Sequence, residues 1–225
     1  MKLLFRMAVS CLLLFGCVSA ASAQVDKNMA DGLKEALKIG TENAVKIVSK
    51  TDGFYKNDLI KIALPENFQK AETLLEKAGF GVMVEDIELS MNRAAEQAAS
   101  SAVKLFGEAI TEMTIEDAVK IVKGADNAAT LYFQEKTSDK LLAAFRPIVD
   151  QAMTDTGVAK LYNDLESKVT AAIPLGLGEL FKTDLNQYVT EKALDGLFYM
   201  VAQEEKKIRE NPEARVTDLL KKIFQ

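Results

Sequence analysis

The 225-residue sequence contains no histidine, and its two cysteines, Cys11 and Cys17, both fall within the first 23 positions. Beyond them nothing can serve as an imidazole base, a thiol nucleophile or a nitrogen and sulfur metal site. Carboxylates, Lys, Tyr, Ser and Thr remain, and any metal would be a hard ion held by oxygen. No stretch carries the alternating Asp/Asn spacing of a calcium hand. The acids are instead scattered among lysines at helical intervals, as on solvated helix faces. The sequence predicts no catalytic set, no metal and no cofactor.

Two spacings imitate known chemistry. Tyr132-x-x-x-Lys136 and Tyr188-x-x-x-Lys192 place a Lys one helical turn beyond a Tyr, the arrangement by which short-chain dehydrogenases lower a Tyr pKa. The Gly-rich turn after a first strand that such enzymes need is missing, which leaves half-buried tyrosines beside lysines. Ser101-Ala102-Val103-Lys104 and Ser90-Met91-Asn92 share wording with serine penicillin-binding enzymes. Their order is reversed, both lie on one helical stretch, and the third motif's strand is absent.

More informative are polar residues set among apolar stripes: Glu42 and Asn43 beside Gly40, then Glu88, Asn92, Arg93 and Glu96, and later Arg146, Lys192 and Asp195. Glu88, Asn92 and Glu96 fall at i, i+4 and i+8 and share one helix face. A buried charge is costly unless paired. The set, with Tyr132, Lys136, Tyr188 and Lys192, is therefore expected to form an internal network joining helices, the alternative being a polar ligand pocket.

The elements that must position these residues are helical throughout, because apolar residues recur at three- and four-residue steps and strand-length alternation is hard to find. Met29, Leu33, Leu37, Gly40, Ala44 and Ile47 make a first stripe, ended by Thr51-Asp52-Gly53. Phe54–Leu64 reads as a connector, Pro65 opens a short helix, and Gly79 ends it. From Val82 to Ile110 one long helix or two stacked ones follow, with Ala94–Ala102 small enough for close helix approach. Thr114 caps the next helix. Asp126 or Asn127 starts another, Thr137 or Ser138 caps a longer one through Met153, and Pro147 kinks it or marks its start.

Val158, Leu161, Tyr162, Leu165 and Val169 form a further stripe, and Pro174–Gly178 a loop. Asp184-Leu185-Asn186-Gln187 predicts a capping box opening the longest helix, to about Glu210, and Ala214–Phe224 a terminal helix. Tyr132, Glu135, Lys136, Asp139 and Leu141 recur at the offsets of Tyr188, Glu191, Lys192, Asp195 and Leu197, hinting at a pseudo-symmetric helix pair. The predicted fold is all-α: one compact bundle of roughly eight to ten helices over residues 24–225.

Residues 1–23 read as a signal peptide, with Lys2 and Arg6, an apolar stretch Met7–Phe15 too short to span a bilayer, and small residues ending Ala21-x-Ala23. Cleavage is expected after Ala23, delivering the protein to the periplasm. Leu14-Phe15-Gly16-Cys17 resembles a lipobox, and the alternative is acylation of Cys17 and a membrane-anchored lipoprotein. Membrane contact is expected only in that case. Loss of Lys2 and Arg6 takes the formal charge from −5 to −7, so nucleic acid is not an expected partner.

The wording Gly40-Thr41-Glu42-Asn43-Ala44-Val45, Leu89-Ser90-Met91-Asn92-Arg93-Ala94-Ala95-Glu96, Met113-Thr114-Ile115-Glu116-Asp117-Ala118, Phe145-Arg146-Pro147-Ile148-Val149 and Tyr188-Val189-Thr190-Glu191-Lys192-Ala193-Leu194-Asp195-Gly196-Leu197-Phe198 resembles the bacterial exported family called domain of unknown function 4197. The resemblance implies an exported helical protein and carries over no reaction, cofactor or catalytic residue. The expected function is non-enzymatic: binding an envelope protein or a small amphipathic molecule between helices, in a cavity that Ala94–Ala102, Met91, Met113, Met153 and Met200 would line if they are not simply core. The alternative is a carboxylate-dependent hydrolase of envelope glycans using a pair such as Glu42 and Glu96.

Overall fold

A computed structural model describes residues 2–172 and 181–210, with side chains from Gln24 onward apart from 67, 69–72 and 172. Eight helices and no strand occur among the described residues: α1 (Lys2–Val48), α2 (Glu66–Lys77), α3 (Gly81–Ala99), α4 (Ala102–Glu112), α5 (Ile115–Lys123), α6 (Ala128–Asp155), α7 (Val158–Ala172) and α8 (Leu185–Glu210). The all-α expectation holds, at the low end of its helix count.

The most extensive packing is α6 on α8, with α1 against α8 and α3 against α6. Phe54, Phe106, Phe133, Phe145 and Leu197 are fully buried between them. Ala94, Ala95, Ala98, Ala99 and Ala102 are also fully buried, as is Met91, while Met113, Met153 and Met200 are nearly so. These residues are core, and short side chains let α3 lie close to its neighbours.

The ends of the helices follow local chemistry. Two serines divide the stretch from Val82 to Ile110: Ser100 Oγ donates to the Gln97 carbonyl and Ser101 Oγ to that of Ala98, both at 2.8 Å, closing α3. The Thr114 hydroxyl accepts the Asp117 amide (3.0 Å) while the Asp117 carboxylate accepts the Thr114 amide (3.1 Å), the full capping box of α5. Gly79 and Gly157, at φ +85° and +70°, supply the left-handed turns after α2 and α6.

Three expectations are corrected. Neither Thr137, Ser138 nor Pro147 starts a helix, because α6 runs unbroken for 28 residues and buried Thr137 donates its hydroxyl back to the Phe133 carbonyl at 2.6 Å. Asp184 caps α8 by accepting the Gln187 amide (3.0 Å), but Gln187 sends its side chain to Glu191 and Arg146, so only half the capping box forms. At 26 residues α8 is shorter than α6. Pro174–Gly178 and Ala214–Phe224 lie outside the described residues.

α1 stops where Asp52 adopts φ +66° and Gly53 turns the chain under its last carbonyls. A Cβ on Gly53 would stand 2.5 Å from the Ile47 oxygen and 2.6 Å from that of Val48. Neither is the end of a movable side chain. Gly53→Ala is expected to destabilise by about 1–3 kcal/mol, an overpacking cost, read as a lower urea midpoint at unchanged slope.

Candidate functional site

Residues 49–65 join α1 to α2 without regular structure, yet Phe54, Ile60, Ile62 and Leu64 are buried. Backbone amides entering a core need partners that neither helix nor sheet supplies here. One face of α3 supplies them. Asn92 accepts the Ile62 amide (2.9 Å) and donates to the Ile62 carbonyl (2.8 Å), as a second peptide would. Four residues on, Glu96 accepts the Phe54 (3.1 Å) and Tyr55 (3.3 Å) amides; four residues back, Glu88 accepts that of Leu64 (3.1 Å).

Each carboxylate in this row also meets a cation. Arg93 bridges Glu96 (2.7 Å) and Asp52, and Lys61 reaches Glu88 at 3.0 Å. Lys61 and Arg93 both lie over the Tyr55 ring, with distances to its centroid of 5.1 and 5.8 Å. From α8, the Tyr188 hydroxyl donates to the Ala63 carbonyl at 3.0 Å. Glu88, Asn92, Arg93, Glu96 and Tyr188 are thus brought together as a network that holds the connector.

The other polar residues singled out by the sequence lie elsewhere. Arg146 joins α6 to the start of α8 through Asp150 (3.0 Å), Gln187 (2.7 Å) and Asp184 (3.2 Å). Lys192 pairs with Asp195 at 3.2 Å beside a hollow of about 250 Å³. Tyr132 donates to the Ala109 carbonyl at 3.1 Å, and Lys136 sits over its ring while pairing with Glu135. Both tyrosines therefore donate to a carbonyl of another element, and burial pushes both hydroxyls above their usual pKa, opposite to the activation a Tyr–Lys catalytic pair needs.

Sequence reasoning passed over a buried charge cluster on α8. Glu205 accepts the amides of Ala129 (2.9 Å) and Thr130 (2.8 Å) and the Thr130 hydroxyl (2.7 Å), doing for α6 what Asn127, its N-cap, does not. Arg209 holds Glu205 at 2.8 Å and donates to the Ile121 carbonyl near the end of α5 (3.0 Å). The carboxylate faces the positive end of one helix and the guanidinium the negative end of another. Within Glu204-Glu205-Lys206-Lys207 this resembles a solvated run. The readable signal was register, because position 205 falls four residues after Val201, on the stripe that continues to Ile208.

Glu42 and Asn43 are on the exposed side of α1. Asn43 reaches buried Glu204 at 3.5 Å, and Glu42 lines a groove of about 560 Å³ between α1 and α4 with Lys38, Thr41, Val103, Gly107, Ile110 and three acids or lysines of α4. Glu96 is absent from that lining, so the two carboxylates the hydrolase reading would pair do not share the groove. No group of three His, Cys, Asp or Glu poised for a metal occurs among the described residues. Gly107 is the groove's unusual feature. It sits inside α4, and a Cβ there would meet nothing within 4 Å among the described residues.

Geometry thus defines a helical scaffold whose conspicuous polar residues serve its own backbone, with an open lateral groove. The chain belongs to the family described as Protein of unknown function (DUF4197), whose model matches residues 24–225. Comparison with curated proteins and with solved structures gives no match.

Asn92→Ala leaves the Ile62 amide and carbonyl without partners in the core and is expected to cost about 2–4 kcal/mol, with the Ile62 amide losing its protection against hydrogen exchange. Lys192→Ala, at an exposed pair, is expected to change stability by less than about 0.5 kcal/mol. Hydrogen bonds from Lys56 and Arg93 lower the pKa of Asp52, those from Thr114 lower Asp117, and those from the Gln187 amide and Arg146 lower Asp184. A depressed folded-state pKa adds stability that is present above the ordinary carboxyl value of 3.8 and disappears as pH falls through the folded value. Urea midpoints are expected to stay level down to about pH 5 and then fall, and Asp52→Asn is expected to flatten that fall.

Proposed function

We propose that the protein is a non-enzymatic binding module of the bacterial cell envelope that holds an amphipathic small molecule in the groove between α1 and α4. The observation that carries this reading is Gly107. Glycine in a helix interior costs about 1 kcal/mol relative to alanine, and here no packing neighbour among the described residues demands it. What it leaves is open room along the α4 backbone, in a space whose volume suits a small ligand.

Val103 and Ile110 supply apolar wall, and Lys38 and Lys104 opposite Glu42, Glu108 and Glu112 supply both signs of charge at the rim, which suits a zwitterionic head. The inward acids support a non-enzymatic reading, since Glu88, Glu96, Glu204 and Glu205 already meet Lys61, Arg93, Lys207 and Arg209. Export rests on the leader sequence, with cleavage after Ala23. Among the described residues no helix is long and apolar enough to cross a membrane; acylation of Cys17 is the alternative processing that the leader sequence offers.

Native mass spectrometry of the full chain isolated from the periplasm is expected to show a reproducible mass excess of one amphiphile, and titration with a zwitterionic lysophospholipid to saturate at one equivalent. Gly107→Leu, whose Cβ has nothing within 4 Å among the described residues and whose branch would project into the groove, should keep the fold and abolish both signals. Gly107→Ala should raise stability by about 0.5–1 kcal/mol. Bare protein that ignores the lysophospholipid would count against the reading.

A further inference from the structure

We propose that the connector between α1 and α2 receives an extended peptide: one residue of that peptide pairs its own amide and carbonyl with the Lys61 carbonyl and the Ala63 amide, in the hollow of about 250 Å³ between the connector and α8. The site is separate from the α1/α4 groove and does not depend on a ligand there. The backbone that forms it is strand-like outside any sheet. Asn92 takes both the amide and the carbonyl of Ile62 (2.9 and 2.8 Å), so the two groups point the same way, as they do in an extended residue and not in a helical one. Burial alternates to match: Ile62 and Leu64 are buried, Lys61 is exposed and Ala63 half-buried.

In a trans peptide the carbonyl and the amide that follows it point opposite ways. With both groups of Ile62 turned to α3, the Lys61 carbonyl and the Ala63 amide point away from α3. The Tyr188 hydroxyl of α8 marks that edge by donating to the Ala63 carbonyl at 3.0 Å. On the other flank the Lys61 amide belongs to the preceding turn, donating to the Asn57 carbonyl at 2.7 Å. Between these two bonds the Lys61 carbonyl and the Ala63 amide have no hydrogen-bond partner among the described residues. A carbonyl and an amide that flank one residue are the pair that a single residue of a parallel strand engages. The open edge is therefore one residue long, and the row on α3 already holds its backbone, which lowers the ordering cost of pairing.

The walls of the hollow say which peptide fits. Leu59, 68% exposed, and Tyr199, 37% exposed, both line it and suit an apolar side chain on the seated residue. Lys61 is held by Glu88 of α3 at 3.0 Å, whereas Lys192 and Asp195 meet only as an exposed pair. Lys192 is thus the cation that can turn to an incoming carboxylate at little cost to the fold. The occupant is a short extended segment with an apolar residue beside an acidic one, held by main-chain pairing and selected by those two side chains.

Titration of the isotopically labelled, full-length mature chain with the tripeptide Glu-Leu-Glu, acetylated and amidated at its ends, tests this. Amide shifts are expected to saturate and to centre on residues 59–63 and 192–199, with the Ala63 amide exchanging at least tenfold more slowly. Methylating the leucine amide of the peptide removes the donor to the Lys61 carbonyl and should weaken binding at least tenfold. Ala63→Pro removes an amide that the described fold leaves unpaired, at an extended position that proline accepts, and should keep the fold while losing the peptide. Lys192→Ala should weaken binding about two- to fivefold. No saturation by about 5 mM peptide, shifts centred elsewhere, equal binding of the methylated peptide, or a folded Ala63→Pro variant that binds as wild type does would each overturn the proposal. Free leucine binding as tightly as the blocked peptide would do so too, by making a lone amino acid the occupant. The methylated peptide decides the matter on the wild-type protein even if the proline variant fails to fold.

Discussion

The structure depends on one requirement: a peptide chain passing through a core must find partners for every amide and carbonyl it buries. Between α1 and α2 the chain gives up helix but not burial. Phe54, Ile62 and Leu64 enter the interior in irregular backbone, and the row Glu88, Asn92 and Glu96 takes the place of a neighbouring strand. Carboxylates suit this because each oxygen accepts from an amide more strongly than a neutral group does, and their charge is then answered by Arg93 and Lys61. α8 closes the arrangement from the other side. A Cβ on Gly196 would stand 2.5 Å from the Phe54 ring, so only glycine lets Phe54 lie against that helix.

The same logic recurs at the far end of α8, where Glu205 and Arg209 join the end of α5 to the start of α6. Both clusters spend charged residues on helix ends and connector amides rather than on a cleft. Breaking either leaves a partner buried and unmatched, which costs more than the intact pair contributes. This gives a physical reason for the fold to hold acids inward at all: Glu88, Glu96, Glu204 and Glu205 are structural partners of Lys61, Arg93, Lys207 and Arg209. Each carboxylate is already engaged by cations, and in the connector and at α6 by backbone donors as well.

How far the sequence disclosed this depended on the range of the interaction. Elements set by neighbours in the chain were readable: the N-cap at Thr114, the stop at Gly79, the all-helical periodicity. The i, i+4, i+8 spacing of Glu88, Asn92 and Glu96 also revealed one shared face, though not that its partner would be a stretch of backbone 24–42 residues earlier. Where local signals competed, the reading failed. Thr137 and Ser138 look like caps, but the burial of Phe133, Leu141 and Phe145 on one continuous face outweighs them. Glu205 was missed for the opposite reason, since its partners lie 75 and 76 residues away and nothing in Glu204-Glu205-Lys206-Lys207 distinguishes an inward acid except its place on a stripe.

Gly107 separates what the fold requires from what it merely permits. Gly53, Gly124 and Gly196 are each crowded within 3 Å by backbone or side-chain atoms, so their small size is explained by the protein's own packing. Among the described residues Gly107 has no such neighbour, and alanine would serve the helix better. Its small size therefore answers no contact among the described residues, which is why the groove beside it carries the proposed function. That groove is apolar along α4 at Val103 and Ile110 and charged in both senses at its edges. On the proposed reading such a surface would discriminate by shape and amphipathicity rather than by a rigid set of hydrogen bonds, with its selectivity set by the width left at Gly107.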